Sequence, residues 1–339
     1  MSLQDSAVLK QAPSPFVAPP AWQESEDEET VRRLSERVRT LAREKNAILL
    51  AHNYQLPRVQ EVADILGDSL GLSVKAQETD AARIVFCGVH FMAESAKILN
   101  PAKKVLLPNL AAGCALADSI TAESLEEWKE RYPQHAVVTY INSSAEVKAL
   151  SDICCTSANA VSVVRSLPEK KILFTPDRNL GAWVQKQVPE KDVVVYDGVC
   201  PTHDVLRTAT VDRVVGKHPE AIVIAHPECR EDVLQIADEI CSTSGMFAAV
   251  KRYPDVKTFI VATEWSLVYR LKQNYPDKEF VMADGCIGCR LHCPYMKMID
   301  LEQIVPSLEE DVFEVRVPED VARDARRSLE RMLAVPRDR

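Results

Sequence analysis

The sequence predicts an α/β protein made of three related αβα units with mainly parallel sheets, and two observations support this class. Short apolar segments alternate with amphipathic segments along the 339 residues, as expected for buried parallel strands covered by helices. In addition, one strand–helix–strand pattern occurs three times. Three related units are expected to meet about a pseudo-threefold axis, with the functional site at their common interface.

The chain is expected to begin with a flexible tail. Residues 1–29 combine four prolines with acidic residues between 24 and 29, and such a segment has little to bury. From Thr30 onward, apolar residues recur with the period of an amphipathic helix. The apolar run AILLA at 47–51 then predicts the first buried strand.

The repeat aligns residues 47–69, 135–157 and 221–243 without gaps over their first half. Each copy has an apolar strand that ends at a polar residue, and a helical stretch that ends in an aspartate. A hydroxyl residue lies 17 positions after the polar one. The repeated residues are, in order, His52, Asp64 and Ser69, then Tyr140, Asp152 and Ser157, and then His226, Asp238 and Thr243.

Copies spaced this widely are small α/β domains rather than solenoid repeats. We therefore expect three domains and a last segment that packs back on the core. Their predicted limits are 30–114, 115–200, 201–293 and, for the C-terminal segment, 294–339.

The repeated polar residues are predicted to surround one ligand site. They lie where strands end and helices begin, which is the edge where open α/β sheets bind ligands. Ser69, Ser157 and Thr243 each precede a helical pattern, so they are expected to cap helices. The same helix N-termini could bind an anion, and the two roles are compatible. Three such termini would suit a small polyanion.

Cysteines follow the last predicted strand of each unit. They are Cys114, Cys200 and a group of three, Cys286, Cys289 and Cys293. Ten cysteines in a long chain without a signal peptide predict a reducing compartment, with thiols that bind metal or act in catalysis. Thiolates select zinc or iron–sulfur clusters. Four protein ligands would make a closed site, whereas three would leave one metal position for substrate.

Nine motifs between residues 52 and 297 resemble the quinolinate synthase family, and the resemblance covers roughly residues 30–318. They are HNYQ (52–55), GDS (67–69), YINS (140–143), TSAN (156–159), PDRNLG (176–181), DGVCPTH (197–203), HPEC (226–229), STSGM (242–246) and CPYMK (293–297).

The resemblance implies a fold and an activity. Members share the three-domain pseudo-threefold fold and hold a [4Fe–4S] cluster on three cysteines, with one iron open. They are transferases that form carbon–carbon bonds. They condense iminoaspartate with dihydroxyacetone phosphate to quinolinate, phosphate and water in NAD biosynthesis.

The identity of the third cluster ligand depends on which signal is used. The resemblance implies Cys114, Cys200 and Cys293, the cysteine before Pro-x-Met. Repeat spacing instead favours Cys286, which lies 60 residues after His226, as Cys200 does after Tyr140. We follow the motif, so that Cys286 and Cys289 form a thiol–disulfide pair or are bystanders.

The chemistry of these substrates needs groups that move protons and groups that hold anions. Glu228 is the preferred general base, and the other candidate catalytic residues are His52, Tyr54, Tyr140 and His226. The resemblance also implies the substrate contacts His52, Ser69, Tyr140, Ile141, Asn142, Ser157, His226, Pro227, Glu228, Ser242, Thr243 and Met296.

Composition excludes several classes of partner. The net charge of −9 and a pI near 5.4 argue against nucleic acid. The sequence contains no run of 18 apolar residues, so no membrane span is predicted. No secretion signal is recognised before the first predicted helix. A cytoplasmic enzyme with small-molecule substrates is therefore expected, and the enzyme that supplies iminoaspartate is a further candidate partner.

Two other functions use the same residues. An iron–sulfur hydro-lyase acting on a small hydroxy acid would also need an open iron. A redox sensor or a zinc-stabilised binding protein would use the cysteines, but it would not need His52, Tyr140 and Glu228 beside the metal.

Overall fold

Three parallel sheets form the frame of the protein. The computed structural model describes residues 27–286 and 290–338. Each sheet has four strands, and helices flank all three sheets. This architecture confirms the predicted α/β class with three αβα units. The limits proposed above for each domain stay a prediction.

The first unit follows the predicted alternation of strands and helices. Helix α1 (Glu28–Glu44) begins two residues before Thr30, because the Asp27 side chain accepts a hydrogen bond from the Glu29 amide and caps it. The rest of the predicted tail, residues 1–26, lies outside the described residues. The strands are β1 (Ala47–His52), β2 (Ile65–Gly67), β3 (Arg83–Cys87) and β4 (Lys104–Leu106), and the further helices are α2 (Pro57–Val62), α3 (Ser69–Glu78) and α4 (His90–Leu99). The strand order is β2-β1-β3-β4.

The second unit repeats this topology. Its strands are β5 (Ala136–Tyr140), β6 (Ile153–Cys155), β7 (Lys171–Thr175) and β8 (Asp192–Val195). Its helices are α5 (Ala122–Arg131), α6 (Ala145–Ala149), α7 (Ala160–Ser166) and α8 (Arg178–Gln187). The order β6-β5-β7-β8 is the order of the first sheet, strand for strand.

The third unit has the same strand order again, β10-β9-β11-β12. Its strands are β9 (Ile222–Ala225), β10 (Glu239–Ile240), β11 (Thr258–Ala262) and β12 (Glu279–Met282). Helices α9 (Pro201–Asp204) and α10 (Thr208–Val215) precede them, and α11 (Glu231–Leu234), α12 (Thr243–Arg252) and α13 (Ser266–Asn274) lie between or beside them.

The repeated aspartates hold the same position in each unit. Each carboxylate accepts a hydrogen bond at 2.8 Å from a backbone amide of the first strand, and the aspartate's own amide donates to the carbonyl of that strand residue. The pairs are Asp64 with Leu49, Asp152 with Val137, and Asp238 with Val223. These hydrogen bonds fix the start of the short edge strand against the first strand, which explains why the sequence repeats an aspartate at this position.

The last two helices pack on the first two units. Helix α14 (Leu301–Glu310) lies against α1, and α15 (Glu319–Leu333) contacts α6, β6 and α4. Helix α15 therefore joins the second unit to the first. Within the described part of the chain, no helix combines the length and apolar character that crossing a membrane requires.

Candidate active site

One cavity lies where the strands of all three sheets end. Each sheet contributes the polar residue that ends or follows its first strand, as the repeat predicts, and a hydroxyl residue near the start of a helix. Thirteen of the sixteen residues predicted for the site line this cavity. They are His52, Tyr54, Ser69, Cys114, Tyr140, Asn142, Ser157, Cys200, His226, Glu228, Thr243, Cys293 and Met296.

Three predicted contact residues are not among those that line the cavity. Ile141 is buried, and its amide donates to the Cys155 carbonyl. Pro227 lies between two lining residues, His226 and Glu228. The Ser242 hydroxyl caps α12 by accepting a hydrogen bond from the Gly245 amide.

The predicted helix caps are wrong by one residue in two units. Asp68 caps α3 and Ser242 caps α12, so Ser69 and Thr243 are the first helical residues rather than the caps. In the second unit, α7 begins after Asn159, two residues beyond Ser157. The extended backbone that a cap needs falls one residue earlier than the helical pattern suggested, which leaves the hydroxyls of Ser69 and Thr243 lining the cavity.

Three thiols converge in the cavity, one from each unit. Cys114, Cys200 and Cys293 follow β4, β8 and β12, the last strand of each sheet. Burial raises the pKa of Cys114 to about 12 and that of Cys293 to about 11, and it raises the pKa of Cys200 well above its usual value. The charges of the other two thiols raise the pKa of Cys200 further. Thiols with raised pKa values are deprotonated when they bind a metal cation, so this donor set fits a metal centre.

The structure brings Cys293 rather than Cys286 into the cavity. Cys286 is disulfide-bonded, and Cys289 lies outside the described residues. The Asp284 carboxylate accepts hydrogen bonds from the amides of Arg290 and Leu291, so these residues lie beside it before Cys293. Repeat spacing favoured Cys286, whereas the cysteine that lines the cavity is seven residues further along the chain.

Glu228 occupies the centre of a polar cluster. Its Oε2 atom lies 2.8 Å from His203 Nδ1 and 3.4 Å from His226 Nδ1, and the two imidazoles stack with centroids 4.8 Å apart. Burial opposes ionisation of Glu228, but the two imidazoles and the neighbouring Tyr140 side chain outweigh it and lower its pKa to about 2. Glu228 is therefore a carboxylate at neutral pH. It is also a weaker base than a group whose pKa lies near 7.

The two histidines that were predicted to act in catalysis, His52 and His226, are neutral at neutral pH. Burial lowers the pKa of His226 to about 3 and that of His52 to about 4, although Glu228 and Asp68 oppose these shifts. The His226 Nε2 atom lies 3.1 Å from the Ser157 hydroxyl, so it links the third unit to the second. Neutral imidazoles can both donate and accept a hydrogen bond, which suits them to orient a substrate.

His203 and Glu264 line the cavity but were not among the predicted site residues. His203 lines the cavity and contacts Glu228, Cys200 and Thr263. Its signal was the spacing Cys-x-x-His, which places both side chains on one face of the helical turn α9. Glu264 is fully buried and forms an ion pair of 2.7 Å with Lys297. Glu264 lies 38 residues after His226, a spacing that His90 and Arg178 share in the other units. Its pairing with Lys297 has no local signal, because the two residues lie on different elements.

Two buried oxygen atoms in the cavity need a ligand to satisfy them. Glu228 Oε1 and Asn142 Oδ1 have no hydrogen-bond partner among the described residues. Buried polar atoms are usually paired, and both residues line the cavity. A bound molecule with hydrogen-bond donors would therefore be held between the second and third units.

The fold and the cavity define an α/β enzyme that binds a small polar molecule, with thiols placed to hold a metal. Comparison with known families identifies which one. Residues 36–334 match the family described as quinolinate synthetase A protein, so the chain belongs to that family.

Curated relatives agree with this family. A quinolinate synthase of Geotalea uraniireducens is 53% identical over 301 residues, which is 89% of this chain and 97% of the relative. The quinolinate synthase of Geobacter metallireducens is 52% identical over 305 residues, which is 90% of this chain and 98% of the relative. That of Aquifex aeolicus is 46% identical over 306 residues, which is 90% of this chain and 95% of the relative. The chain is accordingly a quinolinate-forming enzyme, as its motifs predicted, and the hydro-lyase and sensor alternatives are not supported.

Proposed function

We propose that the cavity condenses iminoaspartate with dihydroxyacetone phosphate to quinolinate, with release of phosphate and water, for the synthesis of NAD. One observation carries this proposal. Three thiols, a carboxylate, neutral imidazoles and hydroxyls from all three units line one cavity. Membership of the family supports the product.

We further propose that Cys114, Cys200 and Cys293 hold a [4Fe–4S] cluster. The thiols are free and partly buried. Cys293 raises the pKa of Cys114, and both of these thiols raise the pKa of Cys200, which supports close approach of all three. When bound, such a cluster with one iron open supplies a Lewis acid that polarises a substrate oxygen and helps water to leave.

The hydroxyl residues would hold the anionic groups of the substrates. Ser69 and Thr243 are the first residues of α3 and α12, where amide groups and the helix dipole favour a phosphate or a carboxylate. The Ser157 hydroxyl is oriented by His226. The Asn142 amide, with its unpaired oxygen, would accept a hydrogen bond from the nitrogen of iminoaspartate.

A chain of hydrogen-bonded side chains leads to Glu228. His203 Nδ1 lies 2.8 Å from the Glu228 carboxylate, and Nε2 lies on the far side of the same ring. That atom lies 2.9 Å from the Thr263 hydroxyl, which in turn hydrogen-bonds the Tyr54 hydroxyl. Glu228 would take a proton from the substrate, while His203, Thr263 and Tyr54 would hold its carboxylate in place. His52 and Tyr140 would orient the reacting atoms.

We also propose that the chain works in the cytoplasm beside the enzyme that makes iminoaspartate. Eight of the nine cysteines among the described residues are free thiols, which supports a reducing compartment, and Cys286 is the exception. Imines hydrolyse in water, so a short transfer distance between the two enzymes would protect this substrate.

The test is anaerobic reconstitution with iron and sulfide, followed by a quinolinate assay with both substrates and with each one alone. Quinolinate and phosphate should form only when both substrates are present. An iron-loaded protein that forms no quinolinate from the pair would overturn the proposed reaction. Active protein without iron would overturn the proposed cluster.

A further inference from the structure

The segment after α15 reaches the edge of the cavity and contacts the first unit there. Arg337 makes a bidentate ion pair with Asp68, with Nη1–Oδ2 and Nη2–Oδ1 distances of 2.5 and 2.9 Å. Asp68 is only 5% exposed, it lines the cavity, and it caps α3 immediately before Ser69. Charged pairs with this fork geometry are among the stronger polar contacts in proteins.

The next residue in the chain contacts the second unit. The Asp338 carboxylate accepts hydrogen bonds from the amides of Val161 and Ser162, at 3.1 and 2.7 Å, and its own amide donates to the Ala158 carbonyl at 2.7 Å. The two amides belong to the first turn of α7, and Ala158 directly follows Ser157. Two consecutive residues, here called the Arg337–Asp338 clasp, thus tie together the two segments that present Ser69 and Ser157.

Asp68 creates an electrostatic problem that Arg337 resolves. A carboxylate beside Ser69 would repel a substrate phosphate or carboxylate. Burial alone would favour the neutral acid, but Arg337 outweighs burial and lowers the pKa of Asp68, so the group stays charged and paired. Gly71 makes room for this pair, because a Cβ atom there would lie 3.3 Å from Arg337 Nη2.

We propose that Arg337 is a positioning residue for the anionic substrate, which it serves by cancelling the charge of Asp68 and by holding Ser69 in place. This inference rests on the proposed function, since it needs an anionic substrate in the cavity. Arg337 itself does not touch the reacting atoms. Its contribution lies in substrate binding, whereas the chemical step depends on the cluster around Glu228.

The experiment compares Arg337→Gln with the wild-type protein, both reconstituted anaerobically. The KM for one substrate should rise about tenfold, the scale of effect that one unpaired charge exerts in a cleft, while kcat changes less than about twofold and the iron content is unchanged. The substrate affected shows whether a phosphate or a carboxylate binds beside Ser69. Arg323→Gln, on an exposed pair with Asp324, is the matched control and should change neither constant.

A second variant separates the effect of the Asp68 charge from a structural effect of losing the Arg337 side chain. Asp68→Asn removes the charge and keeps an oxygen that can accept from the Gly71 amide. In that background, Arg337→Gln should change the KM by less than about twofold, because no charge remains to be cancelled. If the tenfold rise persists, or if the KM values of the single variant equal those of the wild type, the inference is wrong. A wild-type protein that forms no quinolinate would instead refute the proposed function.

Discussion

Replacing Glu228 with glutamine tests the centre of the site. The substitution keeps the shape of the side chain and removes its charge. The pKa of Glu228 is lowered to about 2, so the side chain is a carboxylate at neutral pH and can accept a proton. A neutral amide of the same shape cannot accept one, so kcat should fall by about 10²–10⁴-fold, the range for loss of a general acid or base, which corresponds to about 3–5 kcal/mol of activation free energy.

The assay is steady-state quinolinate formation by the reconstituted protein, with iron and sulfide analysis of the same samples. Glu228→Gln should retain the cluster, because the proposed ligands are cysteines. Glu231→Gln is the matched control, since Glu231 lies three residues away in an exposed pair with Lys186. A Glu228→Gln protein that keeps wild-type kcat with full iron would show that the carboxylate has no part in proton transfer.

Three further predictions use independent measurements. Serine at any one of the three cavity cysteines should leave little bound iron after reconstitution, whereas Cys241→Ser and Cys286→Ser should load fully. Because burial lowers the pKa of His52 from 6.5 to about 4, the unfolded chain takes up this proton first as the pH falls. Urea titrations of cluster-free protein should therefore show up to about 3 kcal/mol of stability lost between pH 6.5 and 4, and His52→Gln should lose less. Asp152→Ala should lower the free energy of unfolding in urea by about 1 kcal/mol and Asp152→Asn should lower it less, since asparagine keeps an acceptor for the Val137 amide. Equal losses would contradict the role given to this hydrogen bond.

Most of the frame of the site could be predicted from local signals. Two signals carried this prediction: the apolar runs, and the repeat of a polar residue, an aspartate and a hydroxyl residue in three copies. Both depend on the periods of strands and helices, which are set by residues close together in the chain. They led to the three parallel sheets and to His52, Tyr140 and His226 at the strand ends. The helix caps were missed by one residue, because Asp68 and Ser69, like Ser242 and Thr243, are all good capping types, and only the backbone angles distinguish them.

The sequence by itself therefore determined the fold class, the three-fold repeat and most of the polar residues that line the cavity. The tertiary structure alone decided contacts between residues far apart in the chain. Examples are the ion pair of Glu264 with Lys297, the approach of His203 to Glu228, and the Arg337–Asp338 clasp. The physical reason is that periodicity records which face of an element is buried, whereas these contacts depend on how whole units pack against one another. The position of Cys293 in the cavity agrees with the motif and not with repeat spacing, because the spacing of a repeat does not record which thiol the folded chain brings to the cavity.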